Sequence, residues 1–151
     1  MTTDKGTTAH ASCVLVGRSA VLVRGPSGSG KSRLALALIR AGDSGLLPSA
    51  RLVSDDRVHL FAANGRLLSA APEPIRGKIE VRGFGIAEVV HEPLALVSLV
   101  VDLAAEDAGR IPDTTAQTTE ILGVKLSRLP VATNAEPISP VLAALKTVTK
   151  A

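Results

Sequence analysis

The chain has 151 residues, 46% of them hydrophobic, which is enough for one buried core and too little for two ordinary domains. No run of ~18 apolar residues occurs and the polar start Met1–His10 holds no apolar signal region, so the expectation is a soluble, cytoplasmic protein with no membrane span. The net charge of +3 concentrates in residues 1–82, with 12 Lys/Arg against 6 Asp/Glu, but no basic run is present and Phe61 and Phe84 are the only aromatics, which argues against nucleic-acid binding.

Residues 1–9 read as a flexible tail and residues 10–151 as one domain. Val14–Val16 and Ala20–Arg24 are apolar runs joined by Gly17-Arg18-Ser19, two short strands of which the second feeds a glycine-rich loop. Cys13, the single cysteine, reads as inert core. A helix is predicted from Lys31 to Ala41, with Leu34, Leu38 and Ala41 on one face and Gly42 as its stop. Arg51–Ser54 is a strand that ends at Asp55-Asp56, and Val58–Ala62 with Arg66–Ser69 form a hairpin about Asn64-Gly65. Ile79–Val81 and Ile86–Val90 flank the turn Gly83-Phe84-Gly85, with Phe84 read as packing in core or loop. Leu94–Leu103 has the continuous apolar character of a buried strand, residues 104–119 read as a mobile loop, and Ser139-Pro140 as the cap of a last helix reaching Thr149.

Gly25-Pro26-Ser27-Gly28-Ser29-Gly30-Lys31-Ser32 meets the pattern G-x-x-x-x-G-K-[ST] in full, between a predicted strand and a predicted helix. Small residues let successive backbone N–H groups converge on phosphate oxygens, Lys31 reaches the terminal phosphates, and the Ser32 hydroxyl ligates Mg²⁺. A nucleotide's phosphates with Mg²⁺ are the expected ligands, and the loop alone leaves open a kinase, a hydrolytic switch or a passive nucleotide binder. Asp55 and Asp56, the first of them 24 residues after Lys31, supply two carboxylates for the γ-phosphate, one for metal and one for the nucleophile's proton. Adjacent side chains on an extended backbone point opposite ways, so the pair divides those roles. His59 and His91 lack a third ligand at metal spacing and read as structural.

With this loop, the Asp pair and Glu80-Val81-Arg82-Gly83-Phe84-Gly85-Ile86, the chain resembles the catalytic domain of bacterial HPr kinase/phosphorylase, in its short single-domain form. That segment is similar to the family's E-I-R-G-L-G-I signature, and His10 stands 15 residues before Gly25, where the family has a catalytic histidine. The resemblance implies an α/β fold, a single P-loop domain with a mixed sheet flanked by helices. It also implies ATP as the nucleotide, and ATP-dependent phosphorylation of a serine on an HPr-type phosphocarrier in phosphotransferase-system regulation, with reverse phosphorolysis left open. Carried over by residue, Asp55 is the proton acceptor, His10 assists it, Lys31 contacts the transferred group, and Arg110 serves dephosphorylation. Ser32, Glu80 and Asp56 are the metal-side residues, and a homo-oligomer, a hexamer among full-length relatives, is implied as well. Two other readings stay open: a small-molecule kinase of the shikimate or gluconate type, and an ATP-binding sensor that transfers nothing.

Overall fold

The computed structural model describes residues 6–109, 111 and 113–148. The elements in order are β1 (Gly6–Ala9), β2 (Ala11–Val16), β3 (Ser19–Arg24), α1 (Lys31–Asp43), β4 (Ala50–Ser54), β5 (Val58–Ala63) and β6 (Arg66–Ala70). They continue with β7 (Lys78–Val81), β8 (Gly85–Glu88), β9 (Ala95–Asp102), β10 (Thr118–Ile121), β11 (Val124–Pro130) and α2 (Ile138–Val148). The main sheet is mixed, with strand order β1-β5-β6-β9-β3-β2-β4, and β11 joins it along β9 while β10 pairs with β11. β7 and β8 form a separate two-stranded hairpin.

The apolar runs of β3 and β9 are continuous because both faces of these strands are buried. Along β3, Val21 and Val23 enter a core shared with Leu34, Leu38 and Ile39 of α1 and Val141 of α2. The intervening Ala20 and Leu22 enter a second core with Val58, Leu60, Leu67, Val124 and Leu126, so there the sheet packs on itself. Both helices therefore lie against one core, and the other is closed by strands alone. Cys13 sits in the second core with its Sγ 3.4 Å from Ser69 Oγ, and burial pushes the thiol up to about 12, so it stays protonated.

β3, β9 and β11 run parallel, with Arg24 in register with Asp102 and Asp102 with Pro130. Three connections consequently leave the same end of the sheet together, which is where parallel sheets build their sites.

Several expectations need correction. Residues 6–9 belong to no tail: they form β1, antiparallel to β5 with Gly6 opposite Phe61, an arrangement suited to the β-branched Thr7 and Thr8. Met1–Lys5 lie outside the described residues. The stretch 104–119 contains a 3₁₀ turn, Thr114–Gln117, and the start of β10. Phe84 is in no core, standing 76% exposed at the tip of the β7–β8 hairpin.

Gly42 does not stop α1, which continues to Asp43. Its hydrogen is needed instead because a Cβ there would lie 2.6 Å from the Ala50 amide nitrogen and 2.8 Å from Ala50 Cβ. The cap of α2 is likewise not Ser139: the Glu136 carboxylate accepts from the amides of Ile138 at 2.5 Å and Ser139 at 3.1 Å. Hydrogen bonds from Ser139 and then from Ile138 hold the Glu136 carboxyl below the usual carboxylate range.

Two stability predictions follow from these contacts. Gly42→Ala gains about 1 kcal/mol of helix propensity but, because the clash is with the Ala50 backbone, loses about 3 kcal/mol to crowding, so differential scanning calorimetry should show Tm lowered, by roughly 4–8 °C. For Glu136→Gln, the sign follows from a carboxyl whose folded pKa is depressed: its stabilisation is present above the unfolded value and lost as pH falls through the folded one. Thermal melts across pH should show the variant below the parent at neutral pH and level with it in acid.

Candidate functional site

The glycine loop turns from β3 into α1 with its tip, Pro26, Ser27 and Gly28, exposed. Gly28 and Gly30 adopt φ of 82° and 102°, and a Cβ on either would meet nothing within 4 Å, so glycine is required there by the left-handed backbone and the space beside both residues is open. The first turn of α1 carries no acidic residue of its own, and the carboxylate nearest its positive end is that of Asp55, which reaches Ser32 from the end of β4. Lys31 is buried and folds back, its Nζ donating to the carbonyls of Gly25 at 2.9 Å and Pro26 at 3.1 Å. Ser29 turns inward, its amide donating to Pro26 O at 3.0 Å and its buried Oγ finding no hydrogen-bond partner.

The two aspartates sit just beyond β4 in a tight turn, not on extended backbone as expected, because Ser54 Oγ and the Arg57 amide close it on the Arg57 and Asp55 carbonyls. Asp55 points inward and is 6% exposed. Its Oδ1 accepts from Ser32 Oγ at 2.6 Å and Ser12 Oγ at 2.7 Å, and its Oδ2 from the Glu80 amide at 3.0 Å. Asp56, at φ 72°, points outward with a side chain 65% exposed, and its Oδ1 pairs with His10 Nε2 at 2.8 Å. Ser12 Oγ also accepts from the Asp56 amide at 3.2 Å, so one hydroxyl ties both residues of the pair.

The structure thus brings together Lys31, Ser32, Asp55, Asp56, His10 and the backbone of Glu80. The Glu80 side chain is exposed, and among the described residues no group of three His, Cys, Asp or Glu side chains forms a metal cluster. A divalent cation beside Ser32 would need oxygen from a bound phosphate to complete its shell. The donor set fits such a shared ion, since the Ser32 hydroxyl is already held by a carboxylate at the mouth of an open glycine cradle. Arg110 lies outside the described residues. His59 pairs with Thr8 Oγ1 at 2.9 Å and His91 packs over Gly77, where a Cβ would lie 2.7 Å from its Nδ1.

Sequence reasoning missed Ser12, whose only signal is a hydroxyl inside a buried apolar strand. It also missed a charged group beside the loop. Asp102 accepts from Arg24 Nε at 2.7 Å and Nη2 at 2.8 Å and from Arg128 Nε at 2.5 Å. Arg128 then grips Asp107 at 2.8 and 3.0 Å and donates to Ala116 O at 3.0 Å. Burial pushes the Asp102 carboxyl up, but Arg24 and Arg128 outweigh it and hold it below the usual range.

Comparison with known proteins adds a family context. The sequence model of the family described as HPr Serine kinase C-terminal domain matches residues 2–145. HPr kinase/phosphorylase of Exiguobacterium sp. is 38% identical over 104 residues, 62% of this chain and 30% of that protein. The Streptococcus equinus protein of the same name is 34% identical over 120 residues, 72% of this chain and 36% of that one. This chain therefore spans about a third of the length of the curated relatives it matches. Among solved structures, the HPr(Ser) kinase/phosphatase of Coxiella burnetii superposes with a TM-score of 0.75 at 25% identity, covering 95% of this chain and 96% of that one.

Ser12→Ala removes one of three donors to a buried carboxylate and orphans the Asp56 amide. Chemical denaturation should show a loss of about 1–3 kcal/mol of stability.

Proposed function

This chain belongs to the HPr serine kinase C-terminal domain family, and from that premise we propose that it transfers the γ-phosphoryl group of ATP to a serine hydroxyl of an HPr-type phosphocarrier protein. The observation that carries the reading is the division of the aspartate pair, one carboxylate buried on the loop serine and the other facing solvent on a histidine.

That division also favours an exchange of the roles carried over from the family resemblance. Both oxygens of Asp55 are engaged and the residue is buried, so an incoming hydroxyl has no path to it. Asp55 suits the metal side: by accepting the Ser32 hydroxyl proton it would orient the Ser32 oxygen to hold Mg²⁺, which offsets charge on the phosphate oxygens when bound. Asp56 keeps Oδ2 free toward solvent and suits the proton acceptor. The serine proton passes to Asp56 as the serine oxygen forms its bond to the γ-phosphorus and the bond to the ADP oxygen breaks. His10 orients the accepting carboxylate through Oδ1. Lys31 exchanges the Gly25 and Pro26 carbonyls for phosphate oxygens, which frees those carbonyls at the loop's base. Reverse phosphorolysis, a homo-oligomer and a cytoplasmic setting belong to the same proposal.

The test is incubation of the chain with Mg²⁺, γ-labelled ATP and an HPr-type carrier. Label is expected on a carrier serine and is lost with Lys31→Ala. Asp56→Asn should reduce kcat about 10²–10⁴-fold, the usual worth of a positioned general base, with ATP binding retained. Asp55→Asn should weaken Mg²⁺-dependent ATP binding itself. ATP bound without labelled carrier points instead to a small-molecule kinase or a sensor, and full activity of Asp56→Asn returns the acceptor role to Asp55.

A further inference from the structure

Arg24, Asp102 and Arg128 are separated by 78 and 26 positions in the chain and meet at one end of the sheet. Parallel register puts them there, since Arg24 is opposite Asp102 and Arg128 lies two residues before Pro130, the other neighbour of Asp102. The side chains of Asp102 and Arg128 are only 15% and 13% exposed. Their contacts form a closed set: both Asp102 oxygens are taken by guanidinium groups, and Arg128 spends its Nε on Asp102 and both terminal nitrogens on Asp107 and the Ala116 carbonyl. The formal charges of the two arginines and two aspartates cancel, and Arg24 also donates to Thr119 Oγ1 at 3.4 Å.

The location of this cluster gives it a task. Arg24 immediately precedes Gly25, and the Arg24 carbonyl accepts from the Leu103 amide at 2.8 Å. Leu103, next to Asp102, is the surface on which the loop begins: a Cβ on Gly25 would lie 3.1 Å from Leu103 Cβ and 3.3 Å from its carbonyl oxygen. On the other flank the Asp102 carbonyl accepts from the Val131 amide at 2.8 Å. A shift of the β9 end by a fraction of an ångström would therefore be passed directly to the first peptide of the loop.

We propose that Asp102 is a positioning residue for nucleotide binding: by gripping Arg24 of β3 and Arg128 of β11 it holds Leu103 as the fixed seat of Gly25. The inference rests on the reading of the glycine loop as the ATP site. It makes a prediction opposite in sign to simple electrostatics. Asp102→Asn removes a negative charge beside the loop, which by Coulomb attraction alone would tighten binding of a polyphosphate, whereas a loosened seat weakens it.

The experiment is calorimetric titration of the full chain with ATP and Mg²⁺ at fixed ionic strength, beside a thermal melt. For Asp102→Asn the affinity is expected to fall by about tenfold, within the range by which contacting groups couple, with the ATP KM changing more than kcat in the carrier assay. Unchanged or tighter binding by the folded variant overturns the proposal. Should Asp102→Asn not fold, Arg128→Lys decides, because it keeps the charge and removes the planar fork; a smaller loss in the same direction is expected, and unaltered affinity overturns the proposal. Glu92→Gln, which breaks only the surface pair with Arg51 outside this cluster, should leave ATP affinity unchanged, and an equal loss there would overturn the assignment to Asp102. Absence of transfer to the carrier would sink the kinase reading alone. Absence of ATP binding by the unmodified chain would sink both.

Discussion

Asp55 is a buried carboxylate, and a buried carboxylate without hydrogen-bond donors is too costly to keep. Its donors come from three places far apart in the chain: Ser12 on β2, Ser32 in the first turn of α1, and the Glu80 amide on β7. Those elements cannot drift independently without leaving the carboxylate short of a partner. The start of the helix behind the glycine loop, the strand that follows His10, and the β7–β8 hairpin are in this way referenced to one side chain. The same tight turn sends Asp56 outward, where His10 meets it. Two identical residue types at adjacent positions thus acquire different environments, one carboxylate buried on the loop serine and the other exposed on a histidine.

The sheet supplies the rigidity this arrangement needs with few means. Among the described residues there are two α-helices, and the sequence has two phenylalanines, one of them on the surface. Packing instead uses both faces of β3 and β9, one against α1 and α2 and one against strands of the same curled sheet. Because β3, β9 and β11 are parallel and in register, their ends present Arg24, Asp102 and Pro130 at one level, directly beneath the loop. Ion pairs at that level are shielded enough to matter, unlike the exposed Arg51–Glu92 pair at 2.8 Å on the surface, whose contribution solvent screening reduces.

Features whose cause is local were legible in the sequence. The glycine loop declares itself because converging amides and left-handed backbone demand small residues at fixed spacing, and Asn64-Gly65 marks its hairpin because both residues sit at positive φ, 53° and 75°. The aspartate pair was visible, but not which carboxylate faces in, since that depends on a turn closed by Ser54 and on donors 43 and 23 residues away. β1 and β10 escaped notice as strands because short polar edges gain their structure from partners and not from their own pattern, whereas β11 lies between β9 and β10 and was missed despite the signal of its alternating Val124 and Leu126. Gly42 looked like a helix stop, when its real constraint is the backbone of Ala50 across the core. The Arg24–Asp102–Arg128 cluster had no local signature at all, since its members are brought together only by strand order.

The proposed division of the chemistry sets Asp55 on the metal side and Asp56 on the acceptor side. A crystal structure of the chain with Mg²⁺ and a non-hydrolysable ATP analogue would test it most directly. The cation is expected on Ser32 Oγ beside Asp55, with phosphate oxygens completing its shell and Asp56 still paired with His10 and open toward the γ-phosphate. A cation coordinated by Asp56, with Asp55 released from Ser32 and turned toward the position of the incoming hydroxyl, would contradict it.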